Sequence, residues 1–199
     1  MARPPTVLDD ELLDRIADVF RDAGYDGASL GALAAATGLQ RASLYHRFPD
    51  GKAQMAEAVL EKVRRSFEWL LEPMRTDPDA HAGIVESAAR IGEFYGGGTL
   101  SCVLDTLPLS GAPDSVRAKA AEVAELWIST MADTAQRAGR PPAEAHAAAQ
   151  DAFVQILGGL VHGRLFGDRE PFRRALARLP ERLLGPATEI LGGDVDSTR

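Results

Sequence analysis

The 199-residue sequence contains one cysteine, Cys102, so a scaffold stapled by disulfides within the chain is excluded. A lone thiol fits a reducing cytoplasm. It reads either as a small buried hydrophobe or, in an exposed electropositive setting, as a redox sensor. Although 45% of the residues are hydrophobic, no uninterrupted apolar run of about 18 residues occurs, and no membrane span is expected. The opening MARPPTVLDDELLD turns acidic at once and has no apolar signal-peptide core, which adds to the cytoplasmic expectation. Basic charge is also short, with 22 Lys and Arg against 29 acidic residues and a net charge of −7. That balance argues against indiscriminate coating of nucleic acid, but a local basic surface remains open. Strand-type alternation, internal repeats and low-complexity linkers are missing. So are a G-x-S-x-G elbow, a Gly-rich phosphate loop, a paired-Cys motif and H-E-x-x-H. An enzyme is therefore not expected. His81, His146 and His162 show no metal-ligand spacing, and no metal or cofactor is expected.

What the sequence does have is apolar residues recurring at three and four, the spacing of one helix face. The first predicted helix covers about residues 7–23, with Leu12, Ile16, Val19 and Phe20 inward and Gly24 as its stop. Ser29 caps a second helix reaching Thr37, and Gly38 ends it. A third helix spans about 40–47 and must stop before Pro49. Asp50 is read as the cap of a fourth, striped by Met55, Val59, Val63, Phe67 and Leu70 and ended near Pro73. Asp77 and Pro78 open a fifth helix, inward at Ile84, Ala88, Ile91 and Tyr95 and closed by the glycines at 96–98. A short apolar piece at about 100–107 and a loop at 110–113 precede a seventh helix at about 114–138. An eighth runs to about Phe166, and a ninth begins near Asp168 and breaks at Pro180, with a frayed tail after Leu191. The expected fold is all-α.

The segment SLGALAAATGLQRASLYHRFPDGK, residues 29–52, is the most informative. Two short helices joined by a Gly-containing turn are how a helix-turn-helix offers a recognition helix to the DNA major groove. Residues 1–52 carry six basic residues against eight acids, yet Gln40–Lys52 holds three basic residues and a histidine against Asp50 alone. Gln40, Arg41, Ser43, Tyr45 and His46 supply long polar groups, while Leu44 and Phe48, four apart, can point back into a small bundle. Arg41 has the donors for a guanine edge, and Gln40 those for adenine. Lys52 falls in the first turn of the fourth helix, where free N–H groups favour a phosphate. A polar helix face carrying a solvated arginine is the bland alternative.

Gly24 and Tyr25, Ser29 and Leu30, Leu33 and Ala34, Gly38 and Leu39, the run from Ser43 to Phe48, and Lys52 resemble the N-terminal signature of TetR-family transcriptional regulators, over about residues 8–60. The resemblance implies an N-terminal three-helix, helix-turn-helix DNA-binding domain at 1–52 and a larger C-terminal helical domain at 53–199 that binds ligand and dimerises. The fourth helix, 50–74, connects the two. It further implies that Arg41, Ser43, Tyr45 and His46 lie at recognition-helix positions, with Tyr45 and Lys52 on phosphates; Ser29, Gln40 and Arg47 complete the expected DNA surface. Two departures stand out. Gly31 replaces the polar or basic residue many members carry on the second helix, and Gly51 lengthens the PDGK turn by one residue. That insertion, with GTLSCVLDTLPL, is similar to a subgroup of lincomycin-resistance regulators.

The eighth helix is apolar on two sides, and Gly158, Gly159 and Gly163 point to very close packing. Either an intrachain core or a two-fold interface satisfies that pattern. The interface reading, which the resemblance supports, uses Ala149, Ala152, Ile156, Gly159, Gly163, Phe172 and Leu176. A dimer also matches a roughly palindromic operator whose half-sites lie about 34–36 Å apart. Phe94, Tyr95, Cys102, Leu107, Leu126, Trp127, Met131 and Phe153 could line an apolar ligand pocket, with plain core as the alternative for each. Trp127 and Met131 lead that set. The expected function is a homodimeric repressor released from its operator by a small apolar or amphipathic ligand. An activator, or a regulator controlled by a protein partner, is the alternative.

Overall fold

The structure, a computed structural model, describes residues 6–108 and 111–185, without the side chains of residues 6–9. All its regular elements among the described residues are helical: α1 (Thr6–Gly27), α2 (Leu30–Thr37), α3 (Arg41–Arg47), α4 (Lys52–Leu70), α5 (Glu72–Thr76), α6 (Ala80–Phe94), α7 (Val103–Thr106), α8 (Asp114–Arg137), α9 (Pro142–Phe166), α10 (Glu170–Ala177) and α11 (Leu179–Leu184). None is long and apolar enough to cross a membrane. Leu12, Ile16 and Phe20 of α1 are buried with Leu33, Leu44, Met55 and Val59, which gives the N-terminal helices a shared core. Further along, α4 packs on α8, α8 on α9, and α9 on α10 and α11, while α6 sits on α5, α10 and α11.

Several boundaries differ from the sequence expectation, each for a local reason. Gly24 interrupts α1 where the stop was expected: it is non-helical at φ 65°, ψ −175°, and one further turn follows the kink to Gly27. Asp50 is not the cap of α4. Gly51 holds that position at φ 68° with no side-chain cap, and the Gln54 side chain reaches back to accept the Asp50 N–H at 3.0 Å. The fourth helix stops at Leu70, because Pro73 lies at the start of the separate helix α5. Asp79, rather than Asp77, caps α6 by accepting the His81 N–H at 2.9 Å. The apolar piece at 100–107 is helical only over Val103–Thr106. The ninth segment divides at Arg178, two residues before Pro180, into α10 and α11. The remainder of the 110–113 loop is described only from Gly111, and the tail after Leu191 lies outside the described residues.

The predicted cap at Ser29 is present: its Oγ accepts the Ala32 N–H at 3.1 Å, and Gly38 closes α2 at φ 69°. On α4, Glu61 joins its own helix to α8. Arg64 donates to its carboxylate at 2.7 Å and the Lys119 ammonium lies at 2.9 Å. Hydrogen bonds from Arg64 and Lys119 hold the carboxyl down at about 2, from an ordinary value of 4.5. A depressed carboxylate contributes stability above its unfolded value and loses it as pH falls through the folded one. The pair is about a third exposed, so the contribution is small. Glu61→Gln is expected to lower unfolding free energy by about 0.5 kcal/mol at neutral pH, and the deficit should shrink as pH falls from 4.5 toward 2. Urea titrations at pH 7 and pH 3 check this; a deficit that stays constant between them contradicts the linkage.

Candidate nucleic-acid interface

The short helix α3 is anchored by one side and open on the other. Leu44 is fully buried and Phe48, at its C-terminal cap, packs against the core. Gln40, Arg41, Ser43, His46 and Arg47 are exposed, and Tyr45 keeps 46% of its surface in solvent. The helix therefore presents a polar face of the kind that reads a duplex. Its register is fixed by a leucine that cannot turn outward without leaving a cavity. The preceding Ser29 is also exposed, with its hydroxyl engaged in capping α2. Tyr45 lies beside Gly51, where an added Cβ would meet the ring at 3.6 Å. The turn between α3 and α4 closes through a Gly51 N–H to Phe48 carbonyl bond of 2.9 Å.

Lys52 has a different position from the rest of the set. Its ammonium donates to the Tyr25 carbonyl at 2.7 Å and sits 4.3 Å from the centre of the Tyr25 ring. It clamps the first turn of α4 to the last turn of α1, a structural role that its position at a helix start did not reveal. The Tyr25 hydroxyl is pushed above its ordinary value, first by burial and then by Asp26 and Glu57.

The expected pocket residues come together as an aromatic cluster. Phe67 meets Trp127 at 4.8 Å and Phe94 at 6.0 Å, Trp127 meets Phe153 at 5.7 Å, and Phe94 meets Tyr95 at 4.9 Å. Tyr95, Cys102, Leu107, Trp127 and Met131 are buried, whereas Phe94, Leu126 and Phe153 are partly so. Two cavities of about 450 and 460 Å³ are lined by none of these eight residues. Trp127 Nε1 is buried without a hydrogen-bond partner. The Tyr95 hydroxyl donates to Cys102 Sγ at 3.1 Å. Burial pushes the Cys102 thiol up to about 11, so it is protonated at neutral pH, and the small-buried-hydrophobe reading describes it.

Six of the seven residues read as a two-fold interface are buried inside the protomer, and Gly163 is partly buried. Ala149, Ala152, Ile156 and Phe172 are at most 1% exposed, Leu176 is buried with them, and Gly159 is buried under α10. A Cβ on Gly159 would come within 2.6 Å of Phe172 Cα, and one on Gly163 within 3.2 Å of the Gly98 carbonyl. The close packing is real, but α10 and the 96–98 turn supply it. The opposite face of α9 carries Val154, 66% exposed, and Leu165, 69% exposed, with Gly158 and Val161 between them. That stripe, at spacings of four, three and four, is present in the sequence beside a heavier run of alanines and glycines.

A polar recognition helix held by a two-helix turn defines a helix-turn-helix protein. Residues 12–59 match the model of the bacterial regulatory proteins of the tetR family. A TetR transcriptional regulator from Legionella pneumophila shares the fold at a TM-score of 0.79 and 19% identity, covering 91% of this chain and 98% of that one. The reduced form of E. coli NemR does so at 0.73 and 18%, covering 91% and 99%. A cysteine mutant of the TetR-family regulator CifR, solved with 26-bp double-strand operator DNA, does so at 0.70 and 23%, covering 90% and 98%. No curated protein matches the sequence. The family model thus matches the N-terminal helices, and the solved structures share the fold of the whole chain.

If Lys52 fixes α4 against α1, Lys52→Ala lowers unfolding free energy by about 1–2 kcal/mol through loss of a charged hydrogen bond and a ring contact. Equilibrium urea denaturation measures it, and an unchanged midpoint and slope would assign the lysine no such role.

Proposed function

We propose that the protein is a homodimeric repressor that binds a palindromic operator through Gln40, Arg41, Ser43, Tyr45, His46 and Arg47 and is released by a small apolar ligand. The observation that carries this reading is the exposed polar face of α3, set in register by the buried Leu44. Arginine and glutamine at its N-terminal end suit base edges, and the tyrosine hydroxyl beside the start of α4 suits a phosphate. Duplex selected by the wild-type protein from a random-sequence library should be roughly palindromic. Its affinity should fall steeply with salt. Failure to enrich any sequence contradicts the reading.

The dimer is proposed to form through the outward face of α9. Gly158 is the supporting detail. A glycine inside a helix costs about 1 kcal/mol relative to alanine, yet among the described residues nothing lies within 4 Å of where its Cβ would be. Close approach by a second copy gives that glycine a reason. Val154→Glu should therefore yield monomers in sedimentation at micromolar concentration, where the parent sediments as a dimer. A dimer that survives this charge places the interface elsewhere.

For the ligand, the aromatic cluster around Trp127 offers apolar surface and one unpaired N–H. An apolar compound with a single acceptor matches that chemistry. The activator or protein-partner alternative is separated by the same operator complex: release by a member of a compound library supports the ligand reading.

A further inference from the structure

Arg41 is the first residue of α3, but its guanidinium sits on α2. An added Cβ at Gly31 would meet Arg41 Nη2 at 3.1 Å, and its next neighbour, Ser29 Oγ, lies at 3.7 Å. The arginine therefore folds back across the partly exposed first turn of α2, over the place where residue 31 has no side chain. Backbone geometry does not require this glycine: Gly31 is not among the residues with positive φ. Helix propensity opposes it, since alanine is the better residue in an eight-residue helix. Among the described residues, the contact at 3.1 Å is the only one that alanine would crowd.

We propose that Gly31 is a specificity-determining residue of the DNA interface: by leaving the surface of α2 bare, it seats the Arg41 guanidinium there and fixes where that charge meets the duplex. This rests on the DNA-binding reading above and goes beyond it. Gly31 touches no base in this account and acts through the arginine. A long flexible side chain that is already positioned loses less freedom when it closes on a phosphate or a base edge. A methyl group at 31 displaces the guanidinium by a few tenths of an ångström or sends it to another rotamer. Bidentate geometry does not tolerate that shift well. The fold does tolerate it, because the group displaced is the free end of a side chain.

The test is a double-mutant cycle on duplex selected from a random library by the wild-type protein. Gly31→Ala should raise the thermal midpoint or leave it unchanged, while weakening binding to that duplex about fivefold. Its affinity for unrelated duplex should change less. In an Arg41→Ala background, Gly31→Ala should change affinity by less than about twofold. Equal losses in both backgrounds overturn the proposal, as does full affinity for Gly31→Ala in the parent. If Arg41→Ala itself binds like the parent, the proposal also fails, while DNA binding through the rest of α3 stands. Failure of the wild-type protein to select any duplex is a different result, since it removes the DNA-binding reading itself.

Discussion

The last turn of α1 is the joint on which the placement of the recognition helix depends. Gly24 kinks the helix at a backbone geometry that a residue with a Cβ adopts poorly, and a Cβ there would meet the Thr106 carbonyl of α7 at 3.3 Å. The turn that follows carries Tyr25, whose carbonyl receives Lys52, and Ala28, whose N–H returns to the Gly24 carbonyl at 3.2 Å. Within a few residues the chain is tied to α4, to the start of α2 and to α7. A second tie lies next to it, since a Cβ on Gly111 would overlap the Asp26 carboxylate. Two close glycine approaches and a lysine at this end of α1 thus help to place α3, together with the packing of α1 along α4 and the Lys62–Asp14 ion pair further up the helix.

The same principle operates at α9, with a different outcome. Small residues permit close approach but do not say what approaches. Ala145, Ala149, Ala152, Ile156 and Gly159 form a stripe that either a neighbouring helix of the same chain or a second copy can cover. In this protein helices of the same chain, α8, α10 and α11, pack on α9, and the Phe172 backbone rests where a Gly159 side chain would be. Sequence distinguishes the two faces only weakly, because an interface between copies and an internal core obey the same packing rules. The outward stripe through Val154 and Leu165 differs in being large, apolar and uncovered by the described residues, the property that marks an association surface.

Much of the fold was legible because its signals are local. The capping hydroxyl of Ser29, the left-handed Gly38 and the heptad-like stripe of α4 each act within a turn or two. Leu44 could be assigned to the core from its spacing to Phe48 alone. What was not legible depends on contacts between residues distant in sequence. The Asp50 side chain reads as a cap until the turn places Gly51 at that position, and Lys52 reads as a phosphate contact until the Tyr25 carbonyl is found at its ammonium. The role of Gly31 was hidden for the same reason: the absence of a side chain has meaning only once Arg41 is seen lying across it.

The junction between α1, α7 and α9 is held less completely than either bundle. Arg21 Nε and both oxygens of Asp105 are buried without hydrogen-bond partners; Arg21 pairs through its Nη1 with Asp18 at 2.8 Å, and Arg164 approaches Asp105 only to 3.7 Å. Burial raises the Asp105 carboxyl, with Arg164 opposing it. A cleft of about 460 Å³ opens beside these groups, lined by Arg21–Asp26 of α1 together with Ser101, Thr106 and Arg164. An underpaired buried polar group costs about 1–3 kcal/mol, and coupling between a ligand and an operator site is typically of the same size, about 1–3 kcal/mol. Rearranging this junction therefore demands no more free energy than a ligand can supply through its preference for one arrangement. The well-packed interior around Trp127 and Phe67 is different, because there a shift opens a cavity unless a ligand fills it. Of the contacts that fix α3 relative to the larger bundle, the polar seam at α7 is the one that can yield without breaking either core.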